Sequence, residues 1–265
     1  MQQKKIISGL QGLVLASLFF ASCKKENTVG NPVVEPKAKQ LVSIEFSNAA
    51  GNPLNFLYDA KGRVSSSGNS YFSLQYDYSG NVFHSIYTSL TTNSVFELKN
   101  GMMDAQGRLL DADAVSKEPG QPESYYKYHF TYDAEGHLLQ FSNTSLTTGG
   151  VSQDDNTWSN GDLITTVNTY NGQPQYRLDY TYYDSLPNKL NLAILPQVLQ
   201  FYTDGITGKR SAHLLKTETN FKEPQHTKKT EYFYDYDLDE QGYPVKYRMK
   251  SLMQNLTLER FLKFN

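Results

Sequence analysis

From Leu41 to the end of the chain, apolar and polar residues alternate with a period of two. Val42, Ile44 and Phe46 alternate with Ser43, Glu45 and Ser47, and Tyr126, Tyr128, Phe130 and Tyr132 with Lys127, His129 and Thr131. The same pattern returns at Tyr176, Leu178, Tyr180 and Tyr182, and at Tyr243, Val245, Tyr247 and Met249. Each segment predicts a strand with one face on a core and one toward water. Tyrosine suits such a strand because its ring can be buried while its hydroxyl stays hydrated.

A recurring turn separates these strands. It reads Tyr58-Asp59-Ala60-Lys61-Gly62-Arg63-Val64, Tyr76-Asp77-Tyr78-Ser79-Gly80-Asn81-Val82 and Asp104-Ala105-Gln106-Gly107-Arg108-Leu109. It returns as Tyr132-Asp133-Ala134-Glu135-Gly136-His137-Leu138 and Asp239-Glu240-Gln241-Gly242-Tyr243. Weaker copies are Trp158-Ser159-Asn160-Gly161-Asp162-Leu163 and Tyr183-Asp184-Ser185-Leu186-Pro187. Asp caps the turn by accepting from backbone N–H groups, and Gly supplies the positive φ that closes it. Repetition on this scale predicts a chain of hairpins.

One stretch departs from the pattern. Leu190, Leu192, Ile194, Leu195, Val198, Leu199 and Phe201 are spaced like a helix face, with Pro196 tolerable in a first turn. This predicts one short helix near residues 190–202, inside a long connection covering one end of the sheet. The fold class expected is all-β: an antiparallel hairpin meander forming a soluble barrel or strongly curved sheet. A meander of about ten to twelve strands removes its exposed edges by closing.

Composition narrows the function. The chain has 20 Tyr and 14 Phe but a single Cys and a single Trp, and its formal charge is −2. One cysteine excludes an internal disulfide framework and a multi-cysteine zinc site. The near-neutral balance lacks the basic face that nucleic acid requires. A mean hydropathy of −0.56 fits a soluble sheet rather than a membrane barrel.

The first 22 residues carry Lys4 and Lys5, a mostly apolar run from Ile6 to Phe20, and small residues before Cys23, the pattern of a secretory signal peptide. Phe20-Ala21-Ser22-Cys23 resembles a bacterial lipobox, with Phe20 where that motif prefers Leu. The resemblance implies that Cys23 is lipidated and becomes the first residue of the mature chain. Lys24-Lys25-Glu26 follows rather than an Asp-led retention signal, which implies sorting to the outer membrane, facing periplasm or cell surface. Residues 23–40 then read as lipidated Cys and flexible tether, and 41–265 as a single β domain. Removing residues 1–22 leaves 23 basic against 27 acidic residues, a charge of −4, so the anchor rather than the body would hold the membrane.

The turns from Tyr58-Asp59 through Tyr76-Asp77 resemble the YD repeats of bacterial Rhs-type surface proteins. More broadly, 41–265 is similar to a Bacteroidota lipoprotein family with a porin-like β fold, through Asp184-Ser185-Leu186-Pro187-Asn188-Lys189-Leu190 and Gly205-Ile206-Thr207-Gly208-Lys209-Arg210. Neither resemblance implies catalytic residues.

Chemistry-bearing motifs are sparse. His84, His129, His137, His213 and His226 have no metal-ligand spacing, and no nucleophile elbow, P-loop or dinucleotide fingerprint occurs. Asp235, Asp237 and Asp239 are a candidate irregular calcium site. Counted from Asp237 they fail as an EF-hand, because Arg248 stands at position twelve where a bidentate Glu is needed. No other cofactor is expected. Asp184-Ser185-Leu186 resembles a Bacteroidota O-glycosylation acceptor, with Ser185 the acceptor. Trp158, read at a hairpin tip beside Asp154 and Asp155, is the candidate ligand-binding aromatic. These features predict a monomeric, non-enzymatic envelope binding module for glycan, peptide or protein. The alternatives are a structural or assembly accessory of an outer-membrane complex and a membrane-spanning porin-like barrel.

Overall fold

The computed structural model describes residues 39–47, 52–190, 205–251 and 253–265. The predicted signal peptide, Cys23 and the predicted tether up to residue 38 lie outside the described residues. So does the predicted helix apart from Leu190, which is buried and belongs to no helix.

Sixteen antiparallel strands form one closed barrel in chain order, with β1 (Leu41–Phe46) pairing β16 (Leu256–Phe264) to shut the ring. Between them run β2 (Leu54–Tyr58), β3 (Val64–Gly68), β4 (Phe72–Ser79), β5 (Val82–Ser89), β6 (Val95–Met103), β7 (Leu109–Lys117) and β8 (Ser124–Tyr132). The second half comprises β9 (Leu138–Ser145), β10 (Val151–Ser159), β11 (Asp162–Tyr170), β12 (Gln173–Pro187), β13 (His213–Lys222), β14 (Thr227–Leu238) and β15 (Pro244–Ser251). The expected ten to twelve strands become sixteen because β3, β9, β10 and β11 are rich in Ser, Thr and Asn. Their alternation is faint in hydropathy, although each pairs antiparallel with its neighbours, with register shifts only near the strand ends at Leu57/Tyr58 and Thr157/Trp158 in these pairings.

A meander places every even-to-odd turn at one end, and the Asp–Gly turns all fall there. In the turn after β2, Asp59 Oδ1 accepts from the N–H groups of Lys61 and Arg63, both at 2.9 Å. Asp104 does the same with Gln106 and Arg108, and Asp239 with Gln241 and Tyr243. The glycines at 62, 107, 136 and 242 have φ between 78° and 97°, a conformation that residues with a Cβ rarely adopt. The opposite end turns on Asn93, Asn171-Gly172, His226 and Asn255 at positive φ, without the recurring Asp that marks the other end.

The tyrosine preceding these turns has a specific task. Tyr58, Tyr78, Tyr132, Tyr182 and Tyr236 each donate from the hydroxyl to a carbonyl near the start of the preceding strand, at Leu41, Val64, Leu109, Leu163 and Leu215, over 2.6–3.1 Å. Every such latch ties the end of an even strand to the strand before it. Part of the tyrosine excess is therefore a repeated backbone hydrogen bond.

The two faces of the sheet differ sharply. Leu74, Phe83, Leu98 and Leu109 point into the barrel and are fully buried. The outer face of β14–β16 carries a charged ladder. Arg248 bridges Asp235 and Asp237 at 2.6 Å each, Lys250 reaches Asp235 at 2.7 Å and Lys246 reaches Glu259 at 2.7 Å. Elsewhere on this face His129 meets Asp111 at 2.7 Å and Arg177 meets Asp179 at 2.7 Å.

Residues 205–212 lie along the Asp–Gly end. Ile206 O accepts from Leu109 N–H, Gly136 O from Lys209 N–H and Gly161 O from Ala212 N–H, at 2.8, 2.8 and 3.0 Å. Ile206 and Leu190 join the core. Gly208 must be glycine here: its φ is +84°, and a Cβ would meet Gly136 O at 2.5 Å.

Candidate binding site

The lumen is not uniform. Among the described residues, fifteen buried apolar side chains belong to β1–β8 and only five to β9–β16. In the second half Phe141, Leu178, Met249 and Leu262 share the inward positions with Asn, Asp, Glu, Tyr and Arg. Register fixes which of these share a row across the strands.

One row joins Asp154 on β10, Asn168 on β11 and Tyr176 on β12. Asn168 Nδ2 donates to Asp154 Oδ1 at 2.7 Å and the Tyr176 hydroxyl reaches the same oxygen at 3.4 Å. Burial pushes the Asp154 carboxyl up, and the neighbouring Asp155 charge adds to it. The Asn168 and Tyr176 bonds offset only part of that shift. Thr166, one inward position along, donates to Asn156 Oδ1 at 2.7 Å.

A second row holds Tyr180 on β12, Glu218 on β13, Tyr232 on β14 and Ser251 on β15. Directly opposed residues in such a row have Cβ atoms about 5 Å apart, so the Glu218 side chain stands between two tyrosines. Its carboxyl accepts no hydrogen bond from any described residue, and burial pushes it up to about 7. Glu218, Tyr180 and Tyr232 all retain partial solvent exposure, whereas Tyr234, one step toward the Asp–Gly end, is sealed.

Arg260 on β16 is a half-buried cation of this half, and Lys222 on β13 extends the row of Tyr176 at its exposed end. Arg260 donates to the Tyr247 hydroxyl and lies over the Phe46 and Tyr247 rings at 5.2 Å each. Its Nε is buried with no hydrogen-bond partner among the described residues, and so is Asn143 Oδ1 on β9. Buried polar atoms of this kind are costly unless water or a ligand reaches them.

The two carboxyl rows are too far apart for a paired-carboxylate site. The row of Asp154 and the row of Glu218 are four residues apart along β12, about 13 Å in the strand direction. Glycosidase carboxyl pairs sit about 5–9.5 Å apart. No group of three metal-capable side chains occurs among the described residues.

The sequence candidates fall elsewhere. Trp158 is not an open tip residue. It is half-buried on β10, its indole stacks on His137 at 4.5 Å, and its Nε1 donates to Leu138 O at 2.8 Å. That is the latch made by tyrosine at the other turns, performed by an indole. The three aspartates are not drawn around a common point. Asp235 and Asp237 flank the Arg248 guanidinium, and Asp239 caps its turn and pairs with Lys39 at 2.6 Å. Ser185 lies on β12 with Asp184, both exposed. Each histidine meets a carboxylate, as His213 does Asp162 at 2.8 Å. Sequence reasoning missed Glu218, Asp154 and Arg260 as a set. Their only signal was parity, a charge on the inward face of a strand, and parity becomes readable only once register is known.

A closed, antiparallel, chain-ordered barrel of this kind is a porin-like architecture. The chain belongs to the family described as a domain of unknown function (DUF4595) with porin-like fold, matched over residues 54–246. Crystal structures of two porin-like proteins share the fold. One, from Bacteroides uniformis, has a TM-score of 0.60 and 12% identity, covering 85% of this chain and 96% of its own. The other, from Bacteroides vulgatus, has a TM-score of 0.63 and 12% identity, covering 85% and 98%. No curated protein matches the sequence.

Proposed function

We propose that this chain is a non-enzymatic binding protein of the cell envelope, held at the outer membrane through Cys23, whose ligand enters the polar half of the lumen. The observation that supports it is the inversion of the barrel. The charges Asp235, Arg248, Lys250 and Glu259 stand on the outer wall, where a spanning barrel needs an apolar band about 25 Å tall. Apolar side chains meanwhile fill the lumen of β1–β8. Such a barrel gains nothing from lipid around it and can hang from a lipidated tether.

The test is fractionation. A Cys23→Ala protein carrying a cleavable non-lipoprotein signal sequence in place of residues 1–22 is expected to leave the membrane fraction and to stay folded without detergent, while the native protein remains membrane-bound. Continued membrane retention of Cys23→Ala, or its need for detergent, would overturn the reading.

A second reading, an accessory docked to an outer-membrane complex, draws on the end opposite the Asp–Gly turns. Tyr71, Leu90, Tyr125, Leu146, Tyr170 and Met253 are all exposed there, on or beside six different connections. Recovery of one stoichiometric partner from solubilised outer membrane, lost when Leu90 and Leu146 become Ser, would favour it.

A further inference from the structure

We infer that the niche formed by Glu218, Tyr180 and Tyr232 binds an organic ammonium group, such as the amine or quaternary ammonium of a small ligand. The inference rests on the luminal binding reading above and names the chemistry of its ligand.

Three observations carry it. Glu218 projects into the lumen between two tyrosines of its own register row. Aromatic faces beside a carboxylate attract cations, because the ring quadrupole adds to the carboxylate charge where water is scarce. Glu218 also has no hydrogen-bond donor of its own, so nothing in the described protein already satisfies it. The inward cation Arg260 is engaged elsewhere, between Phe46 and Tyr247, and the inward Lys222 lies four residues along β13, about 13 Å from Glu218 in the strand direction.

Other ligand classes fit less well. A divalent cation needs six or more oxygen ligands or a cluster of carboxylates and histidines, and no such cluster exists among the described residues. An anion would face the Glu218 carboxylate. A neutral sugar would use the tyrosines but gain nothing from the charge. An ammonium group compensates the carboxylate with a single positive centre and uses both rings. The niche is reachable, since Glu218, Tyr180 and Tyr232 all keep partial exposure.

The experiment compares choline with 3,3-dimethylbutanol, its neutral isostere, by calorimetric titration of the detergent-solubilised mature protein at mildly alkaline pH. Choline is expected to bind at least about tenfold more tightly than the isostere, with that preference lost in Glu218→Gln and reduced in Tyr232→Leu. Equal binding of the two probes, or an unchanged preference in Glu218→Gln, would overturn the ammonium assignment. A neutral oligosaccharide that binds and still binds to Glu218→Gln would also overturn it, while leaving a luminal ligand site in place. Failure of the broader reading shows differently: neither choline nor any neutral probe would perturb the NMR signals of Tyr176, Tyr180 and Tyr232, and that result would overturn both.

Discussion

The two halves of the barrel wall are built from the same hairpins and solve the lumen differently. β1–β8 turn Leu54, Phe56, Leu74, Phe83 and Leu98 inward and leave no exposed apolar surface at these positions. β10–β14 turn Asp154, Asn168, Tyr180 and Glu218 to the same side, and the last two stay partly exposed. Burial of a carboxyl without a cation is unfavourable, and a fold selected for stability alone would replace it with an apolar residue. On the function proposed above, the first half is the scaffold and the second the part that would take a ligand.

The largest effect expected from this contrast is in the scaffold. Phe83→Ala removes a fully buried ring in contact with Tyr76 and Tyr78. It should cost about 3–5 kcal/mol in denaturant unfolding. Asn220→Ala, on the inward face of β13 beside Leu178, should cost no more than about 1 kcal/mol. Equal costs would erase the contrast.

A pH profile sharpens it next. Glu218 is raised in the folded state, so the native protein holds that proton more tightly than the unfolded chain does. Stability should fall as pH rises from about 4.5 to about 7, by up to about 3 kcal/mol, then level off. The groups facing Glu218 are Tyr180 and Tyr182 from β12 and Tyr232 and Tyr234 from β14; burial pushes Tyr182 and Tyr234 well above the usual tyrosine range, so neither ionises in this window. Glu218→Gln should flatten this limb. The acid limb belongs to the turns. Burial pushes Asp104 up, but the N–H groups of Arg108 and Gln106 and the Arg108 guanidinium outweigh that and hold it low. Its contribution is present above the usual carboxylate range and is lost as pH falls below it. Thermal melts across pH would separate the limbs.

Smaller effects fall on the turns and latches, which both halves share. Asp104→Ala should cost about 1–2 kcal/mol by freeing two backbone N–H groups. Tyr132→Phe should cost about 1 kcal/mol, through the lost bond to Leu109 O. Trp158→Phe should match Tyr132→Phe in stability and leave ligand binding unaltered. A selective loss of binding would restore Trp158 as a contact residue.

The hairpin chain was readable because Asp–x–x–Gly turns and alternating tyrosines leave local marks, each strand carrying its own evidence. The remaining strands were hidden because β9–β11 alternate Ser, Thr and Asn with residues of similar polarity. Trp158 shows how local context misleads. Beside Asn160 and Gly161 it resembles a loop-tip aromatic, yet the register of β10 on β9 sets its indole on Leu138. Asp235 and Asp237 share a face by parity, as an irregular metal site would require, but the neighbouring strand supplies Arg248 instead of a third carboxylate. Glu218 acquires meaning only from Tyr180 and Tyr232, 38 residues before it and 14 after, so no short window could reveal it.

The lone cysteine makes a direct test of the central contrast available, because Cys23→Ala leaves a chain with no thiol. A single cysteine is then placed at Asn220 in the polar half or at Leu74 in the apolar half, and its reaction with a small methanethiosulfonate is timed in the native protein. Asn220→Cys should react readily under native conditions, and Leu74→Cys only at the rate of unfolding. Equal protection at both positions would contradict a polar, accessible chamber in the second half of the barrel.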